Sequence, residues 1–333
     1  MNDSTTQLVI VMGASAGGVS AILDLAATLP RDFPAPILFV QHIGAHRSEL
    51  ARLVSARGPN PAVTASDGDV PRPGTIYIAP PDQHMVLDGP VIRLSNGPKE
   101  NHSRPAIDPL FRSAALSCGP RAIGGVLTGM LDDGSAGLRA IKDCGGTAVV
   151  QDQADADVPD MPRSALACVE ADHVVPLAAL GGLLYELARR PGAIDMLEPP
   201  ATLQQEHAAS HGGNAMQTLK AIASPSVFTC PDCGGVLFEL SDKRPVRYRC
   251  HTGHVFSLRT LAYLQKEVSD AALWTTLRVL QEKEAVLRRL AQAQEMVTPN
   301  VAWDTLREAD TIADLRKAIL RLTKSAPGLE GVD

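Results

Sequence analysis

LVIVMGASAGGVSAILDLAAT, residues 8–28, is the stretch on which the fold turns. Its first five residues, Leu8 to Met12, are all apolar and suit a strand buried on both faces. Gly13 to Gly18 follow as a turn of small residues, and from Val19 to Thr28 the apolar positions recur at helical spacing. A buried strand that passes through a tight turn straight into a helix opens a βαβ unit. The alternation then continues. Ile37 to Gln41, Thr75 to Ala79, Ile123 to Thr128 and Thr147 to Gln151 read as further apolar strands, with helical patterns over Ser48 to Ala56, Pro109 to Ser117, Ser135 to Asp143 and Leu177 to Arg189. The expectation is an α/β fold, doubly wound around a mostly parallel sheet, over residues 1–190. One antiparallel excursion is expected at Asp88-Gly89, a pair that supplies a hairpin turn between Met85 to Leu87 and Val91 to Leu94.

Beyond Arg190 the composition changes. Pro191, Gly192, Pro199 and Pro200 lead into a stretch with His207, His211 and two glycines but few apolar anchors, so residues 191–225 are expected to be a linker with solvated histidines. A compact cysteine-bearing module is expected over 226–256 and a helical hairpin tail over 257–325. In that tail Leu273, Leu277, Leu280 and Leu287 form one stripe, and Leu306, Ile312, Leu315 and Ile319 another.

A net charge of -6 offers no electrostatic footprint for nucleic acid. The polar N-terminus lacks a basic targeting region, and no apolar run approaches the roughly 18 residues of a membrane span, so no membrane insertion and a cytoplasmic location are expected. Cys118, Cys144 and Cys168 stand singly in apolar surroundings, as reduced core thiols do.

Ser15 sits on the strand-to-helix turn, where a side chain is exposed at the carboxyl edge of the sheet and free backbone N–H groups of the following helix are at hand. A dinucleotide loop would need glycine at position 15, which leaves a plain phosphate-binding turn as the alternative for this segment alone. An ordinary α/β-hydrolase elbow would lie deep in the chain with its histidine last. A nucleophilic serine needs a base at a neighbouring strand end, and His42 follows the next strand. The strand from Ile123 runs on to Asp132 and Asp133, either of which could orient the imidazole; the competing task for an aspartate there is to cap the next helix.

These residues also carry a resemblance. Gly13 to Gly18, Gln41-His42, Asp67-Gly68-Asp69, Tyr77 to Pro80, Arg104 to Asp108, Leu127 to Met130, Asp133-Gly134 and Met161 to Arg163 together resemble the catalytic domain of chemotaxis protein-glutamate methylesterases. The resemblance implies Ser15 as nucleophile, His42 as base and Asp133 rather than Asp132 as orienting carboxylate, with the backbone N–H of Met130 and of Ala16 at the oxyanion. Ala16 stands where threonine or serine is common in the family. It implies a serine hydrolase acting on glutamyl methyl esters of methylated chemoreceptor helices, with glutamine deamidation second and no cofactor for catalysis. The receiver domain usual in the family is expected to be missing, since the first strand begins at residue 8.

Cys230-Pro231-Asp232-Cys233 and Cys250-His251-Thr252-Gly253-His254 are separated by 16 residues with a hairpin pattern, the arrangement of a zinc ribbon. Cys230, Cys233, Cys250 and His254 are the expected ligands, His254 being preferred to His251 because adjacent residues seldom both reach one tetrahedral ion. A redox pair of Cys230 and Cys233 would leave Cys250 and His254 unexplained. Zinc is therefore expected in a structural role, as the source of folding free energy for a unit too small to have a large core. Because the proposed triad lies within residues 1–190, hydrolysis of a small ester is expected to survive removal of residues 201–333. The tail is expected to serve a regulatory partner or self-association. The competing functions are an interaction protein that uses the esterase-like domain as scaffold, and an esterase for a different protein ester.

Overall fold

Strand β1 (Val9–Ala14) is the hub of the molecule, pairing in parallel with β2 (Ile37–Gln41) on one side and β7 (Ala122–Val126) on the other. The computed structural model describes residues 8–190, 197–210, 215–294 and 299–325. Two compact units divide the chain, Met1–Leu261 and Ala262–Asp333.

In the first unit β3 (Ala62–Thr64), β4 (Ile76–Ile78), β8 (Thr147–Gln151) and β9 (His173–Val175) complete a seven-stranded sheet in the order β3-β4-β2-β1-β7-β8-β9, parallel throughout. Alternate residues of β1 enter different cores, as the period of two in a strand requires. Val9 and Val11 face helices α3 (Ile107–Cys118), α4 (Ser135–Asp143) and α5 (Asp160–Cys168), where Leu110, Phe111, Leu138 and Ala165 are buried. Ile10 and Met12 face α1 (Gly18–Thr28), α2 (Leu50–Arg57) and α6 (Leu177–Arg189), against Ile22, Leu25, Val54, Leu180 and Leu184. The expected hairpin forms between β5 (His84–Asp88) and β6 (Val91–Ser95), with Gly89 at φ 57 in the turn.

The segment expected as a linker holds two helices, α7 (Ala201–Ser210) and α8 (Ala215–Ile222). Leu203, Glu206 and Ala209 are buried on one stripe of α7, so a glutamate occupies the middle of the helix's inner face. Its charge is met by two guanidinium groups: Arg247 donates to both Glu206 oxygens at 2.6 and 2.9 Å, and Arg112 stands 3.7 Å away. A pattern of apolar residues alone does not reveal such a face. His207 is half-buried on this helix, and His211 lies outside the described residues.

Strands β10 (Ala223–Thr229), β11 (Val236–Lys243), β12 (Val246–Cys250) and β13 (Val255–Ser257) form an antiparallel sheet in that order. This sheet belongs to the first compact unit and not to a unit of its own. Val255 N–H donates to Lys99 O, and Asn101 N–H donates to Val255 O.

The helical tail consists of α9 (Leu258–Gln294) and α10 (Pro299–Ser325). Within the second unit Lys283 pairs with Glu308, and Arg288 with Asp310. Its buried stripe on α10 is Ala302, Ala309 and Ala313, whereas Leu306 and Leu315 are exposed. On α10 small residues thus take the inner places expected for Leu306 and Leu315, while on α9 Leu277 is buried and Leu273, Leu280 and Leu287 are half-buried, as expected.

Candidate active site and a cysteine–histidine cluster

Ser15, His42 and Asp133 follow β1, β2 and β7, three neighbouring strands at the centre of the sheet. From β1 the chain goes out to one side of the sheet and returns through β7 on the other, so their carboxyl ends flank the topological switch point where open α/β sheets bind ligands. Gly17, at φ 77, caps α1 in a conformation that side chains rarely adopt and lets the chain turn at once into the helix. Ser15 N–H is tied to Thr128 O at 3.0 Å and His42 N–H to Ala14 O at 3.1 Å. The Gln41 side chain joins the two turns, its amide donating to Ser15 O at 2.7 Å and His42 O at 3.2 Å.

The three side chains lie in line. His42 Nδ1 is 3.2 Å from Ser15 Oγ, and His42 Nε2 is 2.7 Å from Asp133 Oδ2. With Nε2–H directed at the carboxylate, Nδ1 carries the lone pair that faces the serine hydroxyl. This is the reverse of the ring orientation in the chymotrypsin-type triad, with the same division of tasks.

Asp133 is almost fully buried, and burial alone would raise its pKa. The hydrogen bond and charge of His42, the Ile107 N–H and the Asn101 amide outweigh that effect and hold it below the ordinary carboxylate range. Ile107 and Asp108 N–H donate to it at 2.7 and 3.2 Å from the first turn of α3, where the helix dipole also favours an anion. Asp132 turns the other way. Its Oδ1 accepts from Ser257 Oγ at 2.7 Å and Thr260 Oγ1 at 3.0 Å.

The loop Gly129 to Leu131 lies against the serine. A Cβ at Gly129 would come within 2.8 Å of Ser15 Cβ and 2.1 Å of Met161 Sδ, so only glycine fits. Leu131 has φ 64, a backbone conformation seldom taken by a branched side chain. Among the described residues neither the Ala16 nor the Met130 N–H has a protein acceptor, so both remain available to a ligand.

Comparison with known proteins bears on this geometry. The profile of the CheB methylesterase family matches residues 10–184, from β1 into α6. The chain belongs to the CheB methylesterase family. A protein-glutamate methylesterase/protein-glutamine glutaminase 2 of Anaeromyxobacter dehalogenans is 42% identical over 182 residues, covering 54% of this chain and 53% of that one. The chain thus spans about half the length of that relative. A putative protein-glutamate methylesterase/protein-glutamine glutaminase of Leptospira interrogans is 38% identical over 180 residues and is covered over 93% of its length. The crystal structure of the Thermotoga maritima CheB methylesterase catalytic domain superposes with a TM-score of 0.52 at 33% identity, over 55% of this chain and 100% of that one.

Outside the CheB methylesterase match lies a second cluster. Cys230, Cys233, Cys250 and His254 bring their ligand atoms within 4.8 Å of one another. Cys233 and Cys250 sulfurs are 3.7 Å apart, and His254 Nδ1 stands 3.7 Å from Cys230 Sγ and 3.5 Å from Cys250 Sγ. Zinc–sulfur bonds of about 2.3 Å at tetrahedral angles place two sulfurs roughly 3.8 Å apart, so the separations fit a metal ion without rearrangement. His254 N–H donates to Cys250 Sγ, and His254 Nε2 lies 4.0 Å from Asp232 Oδ2, the kind of outer partner that orients a ligating imidazole. His251 is exposed and not in the cluster.

Asn101 carries no motif signal of its own in the sequence and nonetheless touches Asp133, Asp108 and β13. Gln41 was legible only as a neighbour of His42.

Proposed function

We propose that this chain is a serine hydrolase that removes methyl groups from glutamyl methyl esters of chemoreceptors. The observation that carries the reading is the hydrogen-bonded line from Ser15 through His42 to Asp133, at 3.2 and 2.7 Å. His42 Nδ1 takes the Ser15 proton as the serine oxygen attacks the ester γ-carbonyl. The resulting oxyanion is held by the backbone N–H groups of Met130 and Ala16. The protonated imidazole returns its proton to the departing methoxide, methanol leaves, and water repeats the sequence to release the glutamate and free Ser15. A receptor glutamine enters the same route with ammonia as leaving group, more slowly because an amide is the poorer substrate. Asp133 remains ionised throughout and keeps the imidazole in the required tautomer.

The substrate would be a methylated receptor helix. Support for a cytoplasmic location comes from the unpaired cysteines, and among the described residues no helix is long and apolar enough to cross a membrane. Cys230, Cys233, Cys250 and His254 would hold one zinc ion in a ribbon, structural because four protein ligands leave no open position. The helical tail would serve a regulatory partner or self-association.

Methanol released from a methylated chemoreceptor by the wild-type protein and by Ser15→Ala tests the reading. Release by the wild type alone supports it, and equal release by both removes it.

A further inference from the structure

Asn101 lies between the catalytic carboxylate and a strand more than 150 residues away. Its Nδ2 donates to Asp133 Oδ1 at 3.0 Å and to Asp108 Oδ2 at 3.2 Å. Its Oδ1 accepts from Ser257 N–H at 3.0 Å, and its own N–H donates to Val255 O at 2.8 Å. Both protons and the oxygen of the side-chain amide are therefore used, and the residue is buried. Asn101 has φ 48 and His102 φ 60, the two central residues of a tight turn closed by reciprocal backbone hydrogen bonds between Glu100 and Ser103. The backbone bond to Val255 anchors that turn to β13.

The consequence follows from what Asp133 does. Its Oδ2 receives His42, while Oδ1 is held by Asp108 N–H, Gly134 N–H and the Asn101 amide. Among the described residues Asn101 is the only side chain that donates to Oδ1. Without it Oδ1 would have weaker anchorage and a less favourable electrostatic setting, since the neighbouring Asp108 is a second buried carboxyl group.

We propose that Asn101 is a positioning residue for the hydrolase, seated by strand β13 of the cysteine-bearing sheet and holding Asp133 at the angle that His42 needs. The proposal rests on the Ser15, His42 and Asp133 reading given above. It makes the C-terminal sheet part of the support of the active site and not an independent appendage.

Asn101→Gly is the decisive variant, because glycine accepts the left-handed backbone and removes only the amide. Glu206→Gln serves as comparator: it weakens the buried ion pairs with Arg247 and Arg112 of the same unit. In the full-length protein, three quantities would be measured: kcat and KM for a small ester, the melting temperature, and the downfield proton NMR signal of the His42 Nε2–H to Asp133 bond. Reaction of Ser15 with a fluorophosphonate would count the active sites. For Asn101→Gly the expectation is a fall in kcat of about ten- to a hundredfold with KM unchanged, and a lost or shifted NMR signal. Glu206→Gln should lower the melting temperature and leave kcat per labelled site and the signal in place. Wild-type kcat and an intact signal in Asn101→Gly would overturn the proposal, as would an equal loss per site in Glu206→Gln. If Ser15→Ala hydrolysed the ester as fast as wild type, the triad reading itself would fall, whichever way Asn101→Gly behaved.

Discussion

Asp132 and Asp133 share a peptide bond and face opposite ways, Asp133 toward His42 and Asp132 toward Ser257 and Thr260. Substitution by asparagine should separate them. Asp133→Asn favours the wrong imidazole tautomer, an effect of order 10⁴ on turnover in the serine protease case, and a loss of at least about 10² is expected here. Asp132→Asn keeps an oxygen for the Ser257 and Thr260 hydroxyls, so turnover should stay within about threefold of wild type. Small-ester hydrolysis by both folded variants decides it, and similar turnover in the two would remove the aspartate from the mechanism.

Gly129→Ala should cost activity through geometry alone. The added methyl meets Ser15 Cβ at 2.8 Å and Met161 Sδ at 2.1 Å. Either the serine or the loop that carries the Met130 N–H must shift, and a loss of about ten- to a thousandfold in kcat is expected. An unimpaired variant would show that the loop adapts without disturbing the reacting groups.

One zinc per chain is expected in the purified protein, with none after Cys250→Ser. Because Cys250 and His254 frame the turn that leads into β13, stripping the metal with a strong chelator should lower the melting temperature and, through Asn101, reduce turnover. A metal-free protein of undiminished turnover would sever that link.

Glu206 supplies a pH signature. Burial would raise its pKa, but the charges of Arg247 and Arg112 bring it down from 4.5 to about 2. A carboxylate depressed on folding contributes stability above its unfolded pKa and loses it as pH falls through the folded one. The wild type should therefore melt above Glu206→Gln at neutral pH, with the gap closing between about pH 4.5 and pH 2. A gap constant across that window would mean that the ion pair does not stabilise the fold.

The order of strands and helices was legible because the buried parallel strands are continuous apolar runs and the helices between them keep their spacing. The places of Ser15 and His42 were legible too, each following such a run. Between Asp132 and Asp133 the residues alone left the choice open, since both sit on one loop and only the fold tells which way each points. Asn101 was invisible for a different reason: its partners Val255 and Ser257 lie far along the chain, and no local pattern announces them. The helix around Glu206 was missed because a charged residue paired in the interior reads, by composition, as surface.

Asn101 and Ser257 are 156 residues apart, which bears on how the protein is made. A ribosome completes α6 at Arg189 and must add 68 more residues to reach Ser257 (257 minus 189). At about 5–20 residues per second the parallel sheet, with Ser15, His42 and Asp133 aboard, emerges several seconds before the strand that seats Asn101. The nascent chain would then carry a poorly seated triad until β13 has followed. A protein ending at residue 200 would be arrested in that immature condition, and its small-ester hydrolysis should fall well below that of the full chain, against the expectation drawn from the triad's position alone. Full activity in the shortened protein would mean that the enzyme matures before its C-terminal third is synthesised.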